Sequence, residues 1–359
     1  MNIPSIIALI LLSLYFIYAR KGLVNKQHFI TWGCLLLGLE AGLRHISVGP
    51  DTPYYYEMFK YACDSSWTDV FSGFTVGASE FRDPAFVVLE KVFSQFIPSW
   101  QLFLVAVAFF YFYGLWKILT RYTESIEGAL LAFILYLSLF NIIALSGLRQ
   151  CITTGIAFYL IPLINDRKWK IVIPIILAGS TIHISLLFML GFIPLMIMPN
   201  RIKKSFYLIA IILMPVIAIC SRSIVSYMAS FLANDYYASY ANGDNGESPI
   251  VYVLLCAFIS IYEYLNCRKL IESKRLSFLV PSNILMTLSV PLIFLDGTMI
   301  RIGQYFTLYM MVSLPYVFDH VSYRRIAYVV CTTFLIYRVL TSSNIYHFFW
   351  ESIPGFMYY

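Results

Sequence analysis

IVIPIILAGSTIHISLLFMLGFIPLMIM, Ile171 to Met198, is a 28-residue apolar run broken only by the polar patch STIHIS at residues 180–185. Arg167, Lys168 and Lys170 precede it, and Arg201, Lys203 and Lys204 follow. Lys and Arg in short loops mark one face of a membrane, so a run flanked by them at both ends enters and leaves on that face. The stretch therefore predicts a re-entrant hairpin or a pair of short spans, with His183 at the tip.

The rest of the chain reads the same way. Of 359 residues, 60 % are hydrophobic and 12 % charged, with a mean hydropathy of +0.76, which leaves too little polar surface for a water-soluble domain. The first run, IPSIIALILLSLYFIYA, has no basic residue before it and Arg20-Lys21 after it, with no small-residue cleavage site. It reads as a retained span with its start outside. Further runs long enough to cross as helices lie near 28–43, 101–119, 126–145, 148–164, 205–221, 250–266, 278–295, 302–318 and 326–342. With the hairpin, the sequence predicts one all-α polytopic membrane domain, residues 1–359, of about 10–12 crossings.

In this layout 17 of the 25 basic residues fall on one face, from Arg20, Lys21 and Lys26 through Lys117 and Arg121 to Arg324 and Arg325. That face is assigned to the cytoplasm. Two long segments, about 44–100 and 222–249, fall outside and carry most of the acidic residues and many aromatics. The segment PAFVVLEKVFSQFIP, 84–98, is expected to lie on the outer surface as an amphipathic helix.

The formal charge of +6 follows from this topology: the basic residues are dispersed in short loops and form no stripe, so no nucleic-acid partner is expected. Seven cysteines, mostly within spans, show neither a disulfide framework nor zinc spacing, and no metal or cofactor is expected.

Eight basic residues lie off the basic face. Arg44 ends a span, Arg149 opens LRQCITTGIAFYLIPLI and Arg301 opens RIGQYFTLYMMVSLP, all at the outer edge and level with His183. An arginine there needs a partner. One reading pairs Arg44 with Asp51 and Arg301 with Asp296, or lets each arginine reach lipid phosphates. The other makes them a diphosphate clamp, because guanidinium forks bind phosphate oxygens through paired charge-assisted bonds. Arg301 and Tyr305 are four residues apart with Gln304 beside them, and Gln150, Thr153 and Thr154 add polar groups to the helix of Arg149. His183 is either a hairpin imidazole bonded to Ser or Thr, or a general base. GPDTP, 49–53, reads as a rigid turn.

Arg44 with VGPDTPYYYEMF (48–59), then RDPAFVVLEKVF (82–93), GLRQ (147–150), IHISLLF (182–188) and IRIGQYFTLYMMVSLP (300–315), in that order, resemble the EpsG-like branch of Wzy-type polysaccharide polymerases. The likeness spans roughly 44–315. It implies a metal-independent glycosyltransferase of the bacterial inner membrane with its site facing outward. The donor would be a glycan on undecaprenyl diphosphate, and the acceptor the terminal hydroxyl of a fresh lipid-linked repeat unit. Membrane lipids, a flippase and a chain-length regulator are the other partners implied. Arg44, Arg149 and Arg301 would take the diphosphate, and His183 or Asp51 would be the base. Tyr55, Tyr56 and Tyr237, with Gln150, Gln304 and Tyr305, would bind the substrate. The contrasting reading is a lipid-linked oligosaccharide flippase, but transporters carry midplane charges and inverted repeats, and here the polar residues sit in the outer layer without a repeat.

Overall fold

A computed structural model describes residues 2–19, 23–75, 83–232, 250–294, 299–342 and 345–353. Its elements are helical, and an antiparallel bridge pairs Arg44 with Phe348. α1 (Ile3–Tyr18) and α2 (Leu23–Gly42) lead to a group of three shorter helices, α3 (Thr52–Asp64), α4 (Trp67–Thr75) and α5 (Pro84–Phe96). Next come α6 (Trp100–Tyr122) and α7 (Ile126–Leu135), the latter continuing through a π-turn at Tyr136–Phe140 into α8 (Asn141–Leu145). α9 (Leu148–Asn165) precedes the hairpin, which comprises α10 (Trp169–Ser180), a 3-10 stretch Ile184–Gly191 and α11 (Phe192–Ile197). The remainder is α12 (Asn200–Leu232), α13 (Ile250–Leu265), α14 (Cys267–Glu272), α15 (Leu279–Ser289), α16 (Ile300–Thr307), α17 (Met310–Asp319) and α18 (Arg324–Thr341).

Four stretches are long and apolar enough to cross a bilayer on length and composition: Trp100–Tyr122, Ile126–Leu145, Asn200–Cys220 and Lys274–Phe294. The protein is an all-α, multi-pass membrane protein. Ser125 caps α7, accepting from Gly128 N–H at 3.0 Å, and every residue from Gly128 to Leu135 is buried. α7 is thus apolar on all sides because it has protein on all sides. Two predicted spans are interrupted. The run 278–295 tightens to a 3-10 turn at Val290–Phe294, where Pro291 has no N–H for the α-helical ladder. The run 302–318 divides into α16 and α17 at Leu308–Tyr309.

α6, 23 residues and so about 34 Å long, joins two polar ends. At its C-terminal end Lys26 Nζ donates to Thr123 O at 2.8 Å, Arg275 meets Glu124 at 3.1 Å, and Arg324 meets Asp319 at 3.6 Å. These partners come from loops far apart in sequence, and their basic members are the ones assigned to one face. At the N-terminal end Gln101 donates to Gly42 O, and Asp51 N–H meets Ser146 Oγ at 3.2 Å. The hairpin behaves as its flanks require. Its arms pack together, and Lys203 beyond the second arm lies within electrostatic range of Arg167 before the first. Its tip reaches the end opposite the basic residues, where Thr181 O accepts Ala85 N–H of α5 at 3.1 Å.

α5 forms where expected, but its charged residues turn inward. Glu90 and Lys91 are buried while Val92 and Phe96 are exposed. Lys91 Nζ donates to Ser65 O at 2.6 Å, satisfying the last carbonyls of α3. That contact, together with packing against α3, sets the helix rotation.

Candidate active site

Asp51 and Asp83 stand at the N-caps of α3 and α5, ahead of Thr52-Pro53 and Pro84. An N-cap aspartate ordinarily turns its carboxylate to the first free amides of its helix; neither does so here. Asp51 Oδ2 accepts from Arg301 Nη2 at 2.7 Å, and Asp83 Oδ2 accepts from Arg149 Nη1 at 2.6 Å. Each arginine is the second residue of its own helix, α16 or α9. α3 and α5 thus present an aspartate each to the N-terminal turn of a bundle helix.

The expected pairing of Asp51 with Arg44 is corrected: Asp51 belongs to Arg301. Asp296, the partner considered for Arg301 from sequence, lies outside the described residues, as does Tyr237.

Asp83 also faces the hairpin tip. His183 Nδ1 lies 3.3 Å from the same Oδ2 that Arg149 bonds. Its partner is therefore a carboxylate, in place of the hairpin Ser or Thr considered from sequence. Asp83 is 7 % exposed and His183 14 %. Carboxylate, imidazole and guanidinium thus share one half-enclosed corner. When Nδ1–H donates to Asp83, Nε2 is left unprotonated with its lone pair free, the state of a general base.

Tyr55 joins the two pairs. Its hydroxyl accepts from Arg149 Nε at 3.3 Å, its ring lies under the guanidinium at 5.4 Å, and Asp51 and Arg301 are both within electrostatic range. Burial raises its phenol pKa, opposed by Arg149. Tyr54 and Phe86 complete an aromatic collar around Arg149, each 6.0 Å from it. Among the described residues Nη2 of Arg149 and Nε and Nη1 of Arg301 carry no hydrogen bond. The site holds two uncommitted guanidinium edges.

Beneath lies a buried polar floor. Tyr305 OH meets Thr153 Oγ1 at 2.7 Å and Ser185 Oγ at 3.0 Å, and Ser185 donates to Gln150 Oε1 at 3.1 Å. Gln150 Nε2 in turn donates to Arg301 O at 3.0 Å. This ties the starts of α9 and α16 to the hairpin. Gln304 is buried beside it with Oε1 unbonded. Tyr56, one residue beyond Tyr55, faces away from the corner and packs edge-on against Trp100.

Arg44 is placed elsewhere. It is 1 % exposed and donates to Ala41 O, and it feels the charge of Glu40, whose Oε1 accepts from Asn141 at 3.0 Å. The segment 345–351 covers it: His45 N–H donates to His347 O at 2.8 Å and Phe349 N–H to Leu43 O at 3.0 Å. Two of the three predicted arginines share a site with His183 and Asp51, and the third is sealed behind it.

Sequence reading missed Asp83 and Ser185. The Asp-Pro step that opens α5 repeats the Asp-x-Pro that opens α3, and that repetition was the available signal for Asp83. Ser185 had none beyond its place in the polar patch. Residues 27–351, nearly the whole described chain, match the family described as the EpsG family. No curated protein and no solved structure matches the chain.

Proposed function

The chain belongs to the EpsG family, which is a Wzy-like polysaccharide polymerase family, and on that premise we propose that it joins oligosaccharide repeat units carried on undecaprenyl diphosphate at the outer leaflet of a bacterial inner membrane. The growing glycan is the donor. Its glycosidic C1–O bond to the diphosphate breaks as C1 bonds the acceptor hydroxyl of a fresh unit. The hydroxyl proton goes to His183 Nε2, and the bonding pair leaves with the lipid diphosphate.

The observation that carries this reading is the double contact of Asp83, to Arg149 at 2.6 Å and to His183 at 3.3 Å. It holds the base and a diphosphate-binding cation on one carboxylate. Asp83 fixes the imidazole tautomer and supports the imidazolium that forms. The free edges of Arg149 and Arg301 take the charge that develops on the leaving diphosphate, so in this reading arginine supplies the positive charge without a metal ion. Asp51 is committed to Arg301 at 2.7 Å and serves to orient it, which leaves the base role to His183. Arg44 acts behind the site, and the buried floor aligns the two arginine-bearing helices.

The test is turnover of purified lipid-linked repeat units, with glycan chain length read on a gel, for Arg149→Lys, Arg301→Lys, Asp83→Asn and Arg338→Lys at matched abundance. Lysine keeps the charge but not the planar fork. Losing one charge-assisted hydrogen bond, on the order of 1.5–3 kcal/mol, slows the reaction roughly 10–150-fold. The first three variants should fall by at least that much, whereas Arg338, in the last turn of α18, should tolerate lysine. Equal activity in all four variants overturns the assignment.

A further inference from the structure

Phe349, Tyr56, Trp100 and Gln101 line a recess of about 300 Å³ at the end of the bundle that carries the proposed active site. They come from three parts of the chain: α3, the start of α6 and the segment 345–353. Aromatic rings make up three of the four walls. The fourth, Gln101, is held by donation of its Nε2 to Gly42 O, which leaves Oε1 to accept. Trp100 is 7 % exposed, and its indole N–H is buried without an acceptor among the described residues. Lys60 Nζ sits 5.6 Å from the Tyr56 ring at the rim.

The wall from the C-terminal segment is fixed in place. Its backbone bonds Leu43 and His45, and Tyr346 OH donates to Glu40 O at 2.6 Å. Phe348 and Trp350 stack at 4.5 Å with their planes 6° apart, and Trp350 meets Phe349 edge-on at 4.9 Å. Trp350 nevertheless remains 60 % exposed. A rigid ring held that open offers a face to something outside the protein.

We propose that this recess is a glycan subsite, holding one sugar residue of the bound polysaccharide at a distance from the reacting end. Sugar rings present axial C–H faces that pack on aromatic rings and hydroxyls that bond an amide oxygen, and those are the groups this recess supplies. Its link to the reaction centre is α3 itself: Tyr55 touches Arg149, and the next residue, Tyr56, lines the recess on another side of the helix. Tyr54, beside Arg149 and 51 % exposed, offers an open ring for a chain that runs between the two. The assignment rests on the polymerase reading and extends it: by gripping the glycan between additions, the subsite sets how many units are added before release.

The test compares wild type, Phe349→Ala and Phe349→Tyr in nanodiscs, none of which alters Arg149, Arg301, Asp83 or His183. The probe is soluble oligosaccharide of two to five repeat units released from lipid by mild acid, with binding followed by tryptophan fluorescence. Phe349→Ala should bind roughly two- to tenfold more weakly, the worth of one aromatic contact. It should make markedly shorter chains while joining the first two units at the wild-type rate, and Phe349→Tyr should restore both. Unchanged binding and chain length in Phe349→Ala overturn the subsite, as does a fluorescence change produced by lipid composition and not by oligosaccharide. A wild type that binds oligosaccharide but joins no units leaves the subsite standing and removes the polymerase reading instead.

Discussion

Asp51 and Asp83 each give up the capping bond that their position offers and spend the carboxylate on an arginine across the site. A forgone cap costs about 1 kcal/mol of helix stability, and at each helix start a proline with preset φ offsets part of that. Glu90, two turns along α5 from Asp83, has neither carboxylate oxygen bonded among the described residues. Burial lifts its pKa well above the usual carboxylate range, opposed by the nearby charge of Arg149. Burial therefore favours the protonated form of Glu90 in the folded protein. The sign follows: a carboxyl whose pKa is raised on folding stabilises fully below its unfolded value, about 4.3, and loses that contribution as pH rises toward the folded value. Glu90→Gln should match wild type near pH 4 and exceed it increasingly above, by about 1.4 kcal/mol per pH unit until the folded pKa is passed. Thermal melts in detergent across pH 4–8 measure this; parallel curves for the two proteins refute it.

At the scale of elements, the turn before α3 does most to position the site. Gly49 has φ +87°, and a Cβ there would collide with Leu145 O in the chain leading to α9. Thr52 Oγ1 donates to Val48 O at 2.6 Å within the same turn. Gly49→Ala should lower stability by at least about 1–2 kcal/mol for the left-handed backbone alone, and should cut activity further by displacing Asp51 from Arg301. A normal melting temperature with full activity would show the turn to be dispensable. Such features mark what sequence could and could not yield. Apolar runs bounded by basic clusters revealed the spans and the hairpin, because burial in lipid acts on composition and needs no partner. The buried face of α5 stayed hidden, since the rotation that buries Glu90 and Lys91 comes from the end of α3, to which Lys91 Nζ donates. Arg149, Arg301 and His183 stood out as polar residues in apolar surroundings. Asp83 did not, because an acidic residue in an outer loop is ordinary until its partners are known.

Across the whole molecule, the two polar ends of the bundle fix its orientation relative to the chain, and the basic end should face the cytoplasm. In a variant without native cysteines, Thr68→Cys on α4 should react with an impermeant maleimide in intact cells, and Lys274→Cys only after permeabilisation; the reverse pattern would invert the site assignment. The ends of the described chain also meet: Asn2 Nδ2 donates to Ser342 O at 2.6 Å and Ser5 Oγ to Val339 O at 3.2 Å. The cover over Arg44 is made by residues near 345–351, whereas Arg44 itself emerges from the ribosome about 300 residues earlier. During synthesis the arginine must wait at the membrane surface, hydrated or bound to lipid headgroups, while every later helix is inserted. Its enclosure waits for residues 345–351, so a chain stalled or cleaved before residue 345 leaves that charge uncovered, a mark by which quality-control proteases could recognise it.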